Sequence, residues 1–219
     1  MRKVTISLLA LSTLLAVACT KEEKRPNPTA PPEPAPAVEA DLAKRGAYLV
    51  GVGGCSDCHT PMKFDPALGM PVPDMARRLS GHPAGAPDPS TELGKADQAV
   101  IGPTFTSFKA PFGIVYAANL TSDAQTGIGL WTDEEFVRAI RTGRHRGAES
   151  GRPILPPMPW MGMNGSMSDD DLKAVLAYLK TVPAVKNAVP EPNVPPPVYA
   201  AMSESYDKVL AASKASRKL

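Results

Sequence analysis

The chain has 219 residues with 24 Lys and Arg against 22 Asp and Glu, and this near balance removes the electrostatic argument for nucleic acid as a partner. Twenty-five prolines and seventeen glycines beside few aromatic residues point to short helices, long irregular loops and at least one extended linker. They argue against a large sheet core.

Residues 1–18, "MRKVTISLLALSTLLAVA", have the parts of an export signal: Arg2 and Lys3, an apolar run, then small residues ahead of Cys19. The run is too short and wrongly flanked for a membrane-spanning helix. Cys19, directly after "AVA", resembles the bacterial lipoprotein processing site, whose cysteine becomes the lipid-modified first residue. An ordinary cleaved signal with an incidental cysteine is the alternative, but an unpaired exposed thiol is a liability in an oxidising compartment. The expectation is a periplasmic protein tethered to a membrane by lipid on Cys19. Residues 19–39 form a proline-rich linker with almost no large apolar side chain, unable to build a core. As polyproline II, at about 3.1 Å per residue, such a segment reaches roughly 60 Å.

A domain is expected from 40 to 187. It starts with "EADLAKRGAYLVGVGGC", which predicts a helix from about Asp41 to Val50, with Leu42, Leu49 and Val50 apolar and Gly46 leaving room for a second backbone. Glycines end it, and "CSDCH" follows. Three chemistries compete for Cys55, Cys58 and His59. A closed zinc site needs four ligands, commonly from two cysteine pairs, and the chain has no second pair. A redox disulfide of the thioredoxin kind needs a strand before the motif and a helix after it, yet "TPMKFDPALGMPVP" is turn chemistry. C-x-x-C-H is the attachment signature of c-type haem. Two thiols one helical turn apart reach two vinyl groups, and the adjacent imidazole reaches the iron from the same side. Export agrees, because this attachment is made outside the bacterial cytoplasm.

Beyond the motif, "WTDEEFVRAIRTG" carries Thr132 as N-cap, Glu135 three residues later and Gly143 as the stop. In "SMSDDDLKAVLAYLKTVP", Ser168 caps, Asp169 to Asp171 sit at the positive helix end, and Leu172, Val175, Leu176 and Leu179 form one stripe before Pro183. Nothing alternates like a sheet, so the expected fold class is all-α. Residues 188–219 make a C-terminal tail with a possible short helix.

Four motifs in order, the haem signature, "NLT" with "TGIGLWTDEEFVRAIRTG", a proline-rich "MPW" loop and "SDDDLKAVLAYLK", resemble the class I-type monohaem cytochromes c of the bacterial periplasm over about residues 41–187. Similar domains serve as cytochrome components of periplasmic dehydrogenases. The resemblance implies a cytochrome c-like helical domain whose helix before the motif crosses the last helix, with one covalently attached haem c, its iron, and a partly exposed haem edge. Residues 62–118 depart from it as a long insertion. The family's axial methionine matches Met158, bracketed by Pro157 and Pro159, with Met161, Met163 and Met167 as neighbouring rivals. His82 and His145 are alternative sixth ligands, His82 reading otherwise as a surface histidine. Trp131 and Trp160 read as core or pocket residues, and the "NLT" at Asn119 belongs to the family motif, its match to a glycosylation acceptor being chance.

Arg138, Arg141, Arg144, Arg146 and Arg152 read as a solvated helix face, as propionate partners or as a docking patch for an acidic redox protein. The function expected first is an electron carrier, not an enzyme, with redox proteins such as a dehydrogenase or a terminal oxidase or reductase as partners. A dehydrogenase subunit, and a haem sensor or peroxidase-like protein with an open distal site, are the alternatives.

Overall fold

The computed structural model describes residues 36–90 and 97–216, so the expected export signal, Cys19 and the linker up to residue 35 lie outside the described residues. The first helix, α1 (Pro36–Val52), starts ahead of Asp41, with a proline in its first turn, where a missing backbone N–H costs nothing. At its end Gly53 N–H donates to the Leu49 carbonyl at 2.8 Å. Gly54, at φ 62°, then turns the chain into the single turn α2 (Cys55–His59).

The two helices with capping motifs form as the sequence predicts. In α3 (Asp133–Thr142) the Thr132 hydroxyl accepts from Glu135 N–H while the Glu135 carboxylate accepts from Thr132 N–H, at 3.2 and 3.0 Å. Gly143 closes the helix at φ 66°, and its bare face lies against the Trp160 indole, so any side chain there would strike the ring. After the short α4 (Trp160–Ser166), α5 (Asp169–Thr181) opens on the same box, made by Ser168 and Asp171. Its stripe of Leu172, Val175, Leu176 and Leu179 is buried, each side chain stabilising the fold by about 1.5–3 kcal/mol.

The α1–α5 crossing is made by Gly46. A Cβ at this position would collide with the Ala174 carbonyl, so the two backbones touch where no side chain fits. Arg45 ties the crossing from outside through Asp171, at 3.0 Å. The main core joins Val50, Leu79, Ile128, Phe136, Ile140, Trp160 and the α5 stripe. A further helix, α6 (Pro196–Ser216), fills much of the tail, and Tyr206 on it enters the same core, its hydroxyl donating to the Ile154 carbonyl at 2.7 Å.

The all-α expectation is corrected. Among the described residues six α-helices dominate, but five short strands stand beside them. Every strand falls in the 62–118 insertion. The hairpin of β1 (Met62–Asp65) and β2 (Met70–Pro73) pairs antiparallel around a turn in which Asp65 Oδ1 accepts from Ala67 N–H at 2.8 Å. β3 (Val100–Ile101), β4 (Ser107–Ala110) and β5 (Gly113–Tyr116) form an antiparallel sheet in that order, extended by a two-way backbone bridge between Ile114 and Asn193. These strands are two to four residues long and do not alternate cleanly between buried and exposed positions, which is why no period of two shows in the sequence. Val115 on β5 packs with Leu155 and Val194 in a second, smaller cluster.

Candidate functional site

α2 is one helical turn, so Cys55 and Cys58 stand on one side of it and His59 closes it. Cys55 is half-buried against the main core, Cys58 is exposed, and His59 is 8% exposed. Burial pushes the Cys55 thiol above its usual value, partly opposed by a backbone hydrogen bond and reinforced by Asp57 and Cys58; burial and then Asp57 raise Cys58 too. The attacking thiol of a disulfide oxidoreductase carries the opposite shift, held low by positive charge or a helix N-terminus. Among the described residues no three His, Cys, Asp or Glu side chains converge on one point, Cys55, Cys58 and His59 included, so the zinc reading finds no ligand set there.

His59 has the form that a haem-bearing imidazole requires. Its Nδ1 lies 2.8 Å from the Ala118 carbonyl, an acceptor only, which puts the ring proton on Nδ1 and the lone pair on Nε2. Burial pushes the imidazole below its usual value against the pull of that carbonyl, so it is neutral at pH 7. A second hydrogen bond fixes its backbone, Gly81 N–H donating to the His59 carbonyl at 2.8 Å. A metal-ligating histidine is commonly held in this way, with the far nitrogen donating to a backbone carbonyl. On these observations Cys55, Cys58 and His59 fit a covalently attached haem. Residue-type reasoning missed Ala118 and the 79–82 segment, because a backbone acceptor leaves no signature in the sequence.

Met158 is half-buried and packs against the same core as Cys55 and Trp131. Its loop passes through a cis peptide bond between Pro156 and Pro157, and its N–H donates to the Leu155 carbonyl at 3.2 Å. Met163 and Met167 also line that core, whereas Met161 is 41% exposed. Trp160, two residues beyond Met158, is buried edge-on against Tyr206, ring centres 4.8 Å apart.

The other candidates take structural roles. His82 is not a surface residue: it is fully buried, with Nδ1 3.0 Å from the Thr106 hydroxyl and its ring 4.9 Å from Tyr116. His145 stands edge-on to Trp131 at 5.3 Å. Four of the five arginines of the basic cluster make ion pairs within the domain. Arg141 holds Asp169 and the Asn164 and Met167 carbonyls, Arg144 holds Asp207, and Arg152 faces Glu191. Arg146 meets Glu135 with two nitrogens at 3.1 Å and lies over the Trp131 ring. The acidic partners Asp169, Asp207 and Glu191 are themselves largely exposed, so these pairs lie at the surface. Asn119 is buried with its amide fully engaged, so it offers no surface acceptor for a glycan.

No family model matches the chain. Over 155 residues it is 30% identical to the alcohol dehydrogenase (quinone) cytochrome c subunit of Komagataeibacter europaeus, covering 69% of this chain and 26% of that protein. It is 28% identical over 159 residues to the gluconate 2-dehydrogenase cytochrome c subunit of Pantoea cypripedii, 72% of this chain and 27% of the relative. Over 193 residues it is 28% identical to the fructose dehydrogenase cytochrome subunit of Gluconobacter japonicus, 85% of this chain and 31% of the relative. The matched stretch therefore spans less than about a third of the length of each of these relatives. What the chain is similar to is a set of cytochrome subunits of dehydrogenases.

The buried His82 yields a prediction about pH. Burial, opposed by the Ala86 backbone and Asp88, pushes its imidazole below the ordinary value. The unfolded chain then takes up the proton first, near pH ~6.5. Stability is therefore full above that pH and drains as pH falls below it. Denaturation measured from about pH 7 to about pH 5 should show this loss, and His82→Gln should flatten the slope, leaving the shares of His145, which burial, Arg152 and Arg146 also lower, and of His59, which burial lowers. A His82→Gln profile parallel to that of the unmodified protein would contradict the assignment.

Proposed function

We propose that this chain is an electron-transferring cytochrome subunit of a dehydrogenase, carrying single electrons while a separate catalytic chain acts on the substrate. From sequence a free carrier ranks first and a subunit second; the similarity to cytochrome subunits of alcohol, gluconate and fructose dehydrogenases reverses that order. The observation that carries the reading is His59, buried, neutral and committed through Nδ1, with Nε2 left for iron beside two cysteines one turn apart.

In this reading Cys55 and Cys58 would hold haem c through thioethers, and His59 Nε2 and the Met158 sulfur would be the donors to its iron. Haem c, when bound, supplies a one-electron couple between ferrous and ferric iron. Pro157 and Pro159 restrict the backbone on both sides of Met158 and lower the ordering cost of presenting its sulfur. A thioether donor would favour the ferrous state relative to a second imidazole. The apolar core against which Cys55 and Met158 pack keeps water from this side of the site. The export signal and Cys19 support a place in the periplasm, held at a membrane by lipid.

Native purification tests the assignment to a complex. The protein should fractionate with membranes and leave them in detergent together with a catalytic dehydrogenase chain, and Cys19→Ser should free it from the membrane. Recovery from the soluble periplasm, alone and without an acyl group, would contradict both parts.

The ligand assignment is tested by spectroscopy. The ferric protein should show the weak red charge-transfer band of a thioether-bound haem c and, when reduced, bind carbon monoxide slowly or not at all. Met158→Ala should lose the band, open the site to carbon monoxide and lower the potential, whereas Leu at 161, 163 or 167 should leave the band in place. Rapid carbon monoxide binding by the unmodified protein, with no such band, would replace the carrier with an open-site sensor or catalyst.

A further inference from the structure

A ligating imidazole takes its orientation and its electron-donor strength from the partner of its other nitrogen. For His59 that partner is a backbone carbonyl, Ala118, at 2.8 Å. A carbonyl is only as well placed as the chain that carries it, so whatever fixes residues 117–120 also acts on His59. These residues run beside 79–82: His82 N–H donates to the Ala117 carbonyl and Leu120 N–H to the Leu79 carbonyl, both at 2.9 Å. The same 79–82 segment grips the histidine's own end of the chain. Gly81 N–H holds the His59 carbonyl at 2.8 Å, and Leu79 N–H donates to the Thr60 hydroxyl at 3.1 Å. Gly81 sits at φ 74° so close to residues 117 and 118 that a Cβ would strike their carbonyls.

From the far side, this segment is held by one side chain. Asn187 donates from Nδ2 to the Ser80 carbonyl at 2.7 Å and to the His82 carbonyl at 2.9 Å, and its Oδ1 accepts from Ala84 N–H at 2.9 Å. Both amide protons and the amide oxygen are thus committed to one loop more than a hundred residues upstream. Asn187 is itself anchored, its N–H donating to the Thr126 hydroxyl at 2.9 Å and its carbonyl accepting from Asn119 Nδ2 at 3.4 Å. Asn119, the neighbour of Ala118, also donates to the Val185 carbonyl at 2.8 Å. The bonds form a closed ring from Asn187 through 80–84 to 117–119 and back.

We propose that Asn187 is a positioning residue for the iron-ligating histidine: its amide fixes the 80–84 loop, and through it the Ala118 carbonyl that takes the Nδ1–H bond of His59, and so holds down the reduction potential of the bound haem. The proposal rests on the reading of His59 as the proximal ligand. Loosening this ring weakens the Nδ1–H bond, makes the imidazole a poorer donor and favours ferrous iron.

The test compares Asn187→Ala and the neutral, similarly sized Asn187→Leu with the unmodified holoprotein. Both should raise the reduction potential and speed hydrogen exchange at the His59 ring N–H, followed by NMR of the reduced protein. Asn187→Ser, which keeps one donor, should give a smaller change in both and carries the test if the larger changes fold too poorly to load haem. Ser168→Ala, which removes the α5 cap, should lower thermal stability with neither readout moved. Potentials and ring exchange that stay at the unmodified values, or move no further than in Ser168→Ala, overturn the proposal while leaving the haem assignment standing. An unmodified protein that takes no haem overturns both.

Discussion

A buried imidazole has to spend its ring N–H on an acceptor, and much of this domain is arranged around the one that His59 finds. An unsatisfied buried donor costs about 1–3 kcal/mol, so the Ala118 carbonyl is a folding requirement before it is a chemical one. Meeting it fixes the tautomer, and the tautomer leaves the lone pair on Nε2. Through this bond the chemistry of three adjacent motif residues depends on a segment some sixty residues away, in a part of the chain that looks irregular in sequence.

The Met158 loop depends on a different contact. Gly143 ends α3 in the left-handed region and also leaves the bare surface on which Trp160 lies, so one glycine both stops a helix and seats a core aromatic. Because Trp160 follows Met158 by two residues, burying the indole anchors the methionine loop. Arg141 adds to this from α3, binding the Asn164 and Met167 carbonyls and Asp169 at the junction of α4 and α5. Arg144, Arg146 and Arg152 likewise fasten parts of the domain to one another, through Asp207, Glu135 and Glu191.

The parts written in residue types were legible from sequence. The capping boxes at Thr132 and Ser168, the stop at Gly143, the α5 stripe and the close approach at Gly46 all rest on short-range patterns, and each appears in the structure. The two small sheets were not legible, because strands of two to four residues are too short for a period of two to stand out. His82 misled for a related reason: its surroundings of Gly, Pro and Ala read as surface loop, while the burial comes from Thr106, Tyr116 and Asn187, all distant in sequence. The partners of His59 and of the 79–84 loop are mostly backbone atoms, which no residue type announces. A subunit's dependence on a partner is likewise absent from its own motifs, and the proposal of one rests on similarity to cytochrome subunits of dehydrogenases.

The central claim is that Cys55, Cys58 and His59 hold a haem, and the intact mass of the exported protein tests it most directly. Expressed in a bacterium that attaches haem c, the chain should weigh one haem more than its mature polypeptide, resist alkylation at Cys55 and Cys58, and lose the added mass when both cysteines are replaced by alanine. A bare polypeptide mass, with both thiols open to alkylation under the same conditions, would contradict the account.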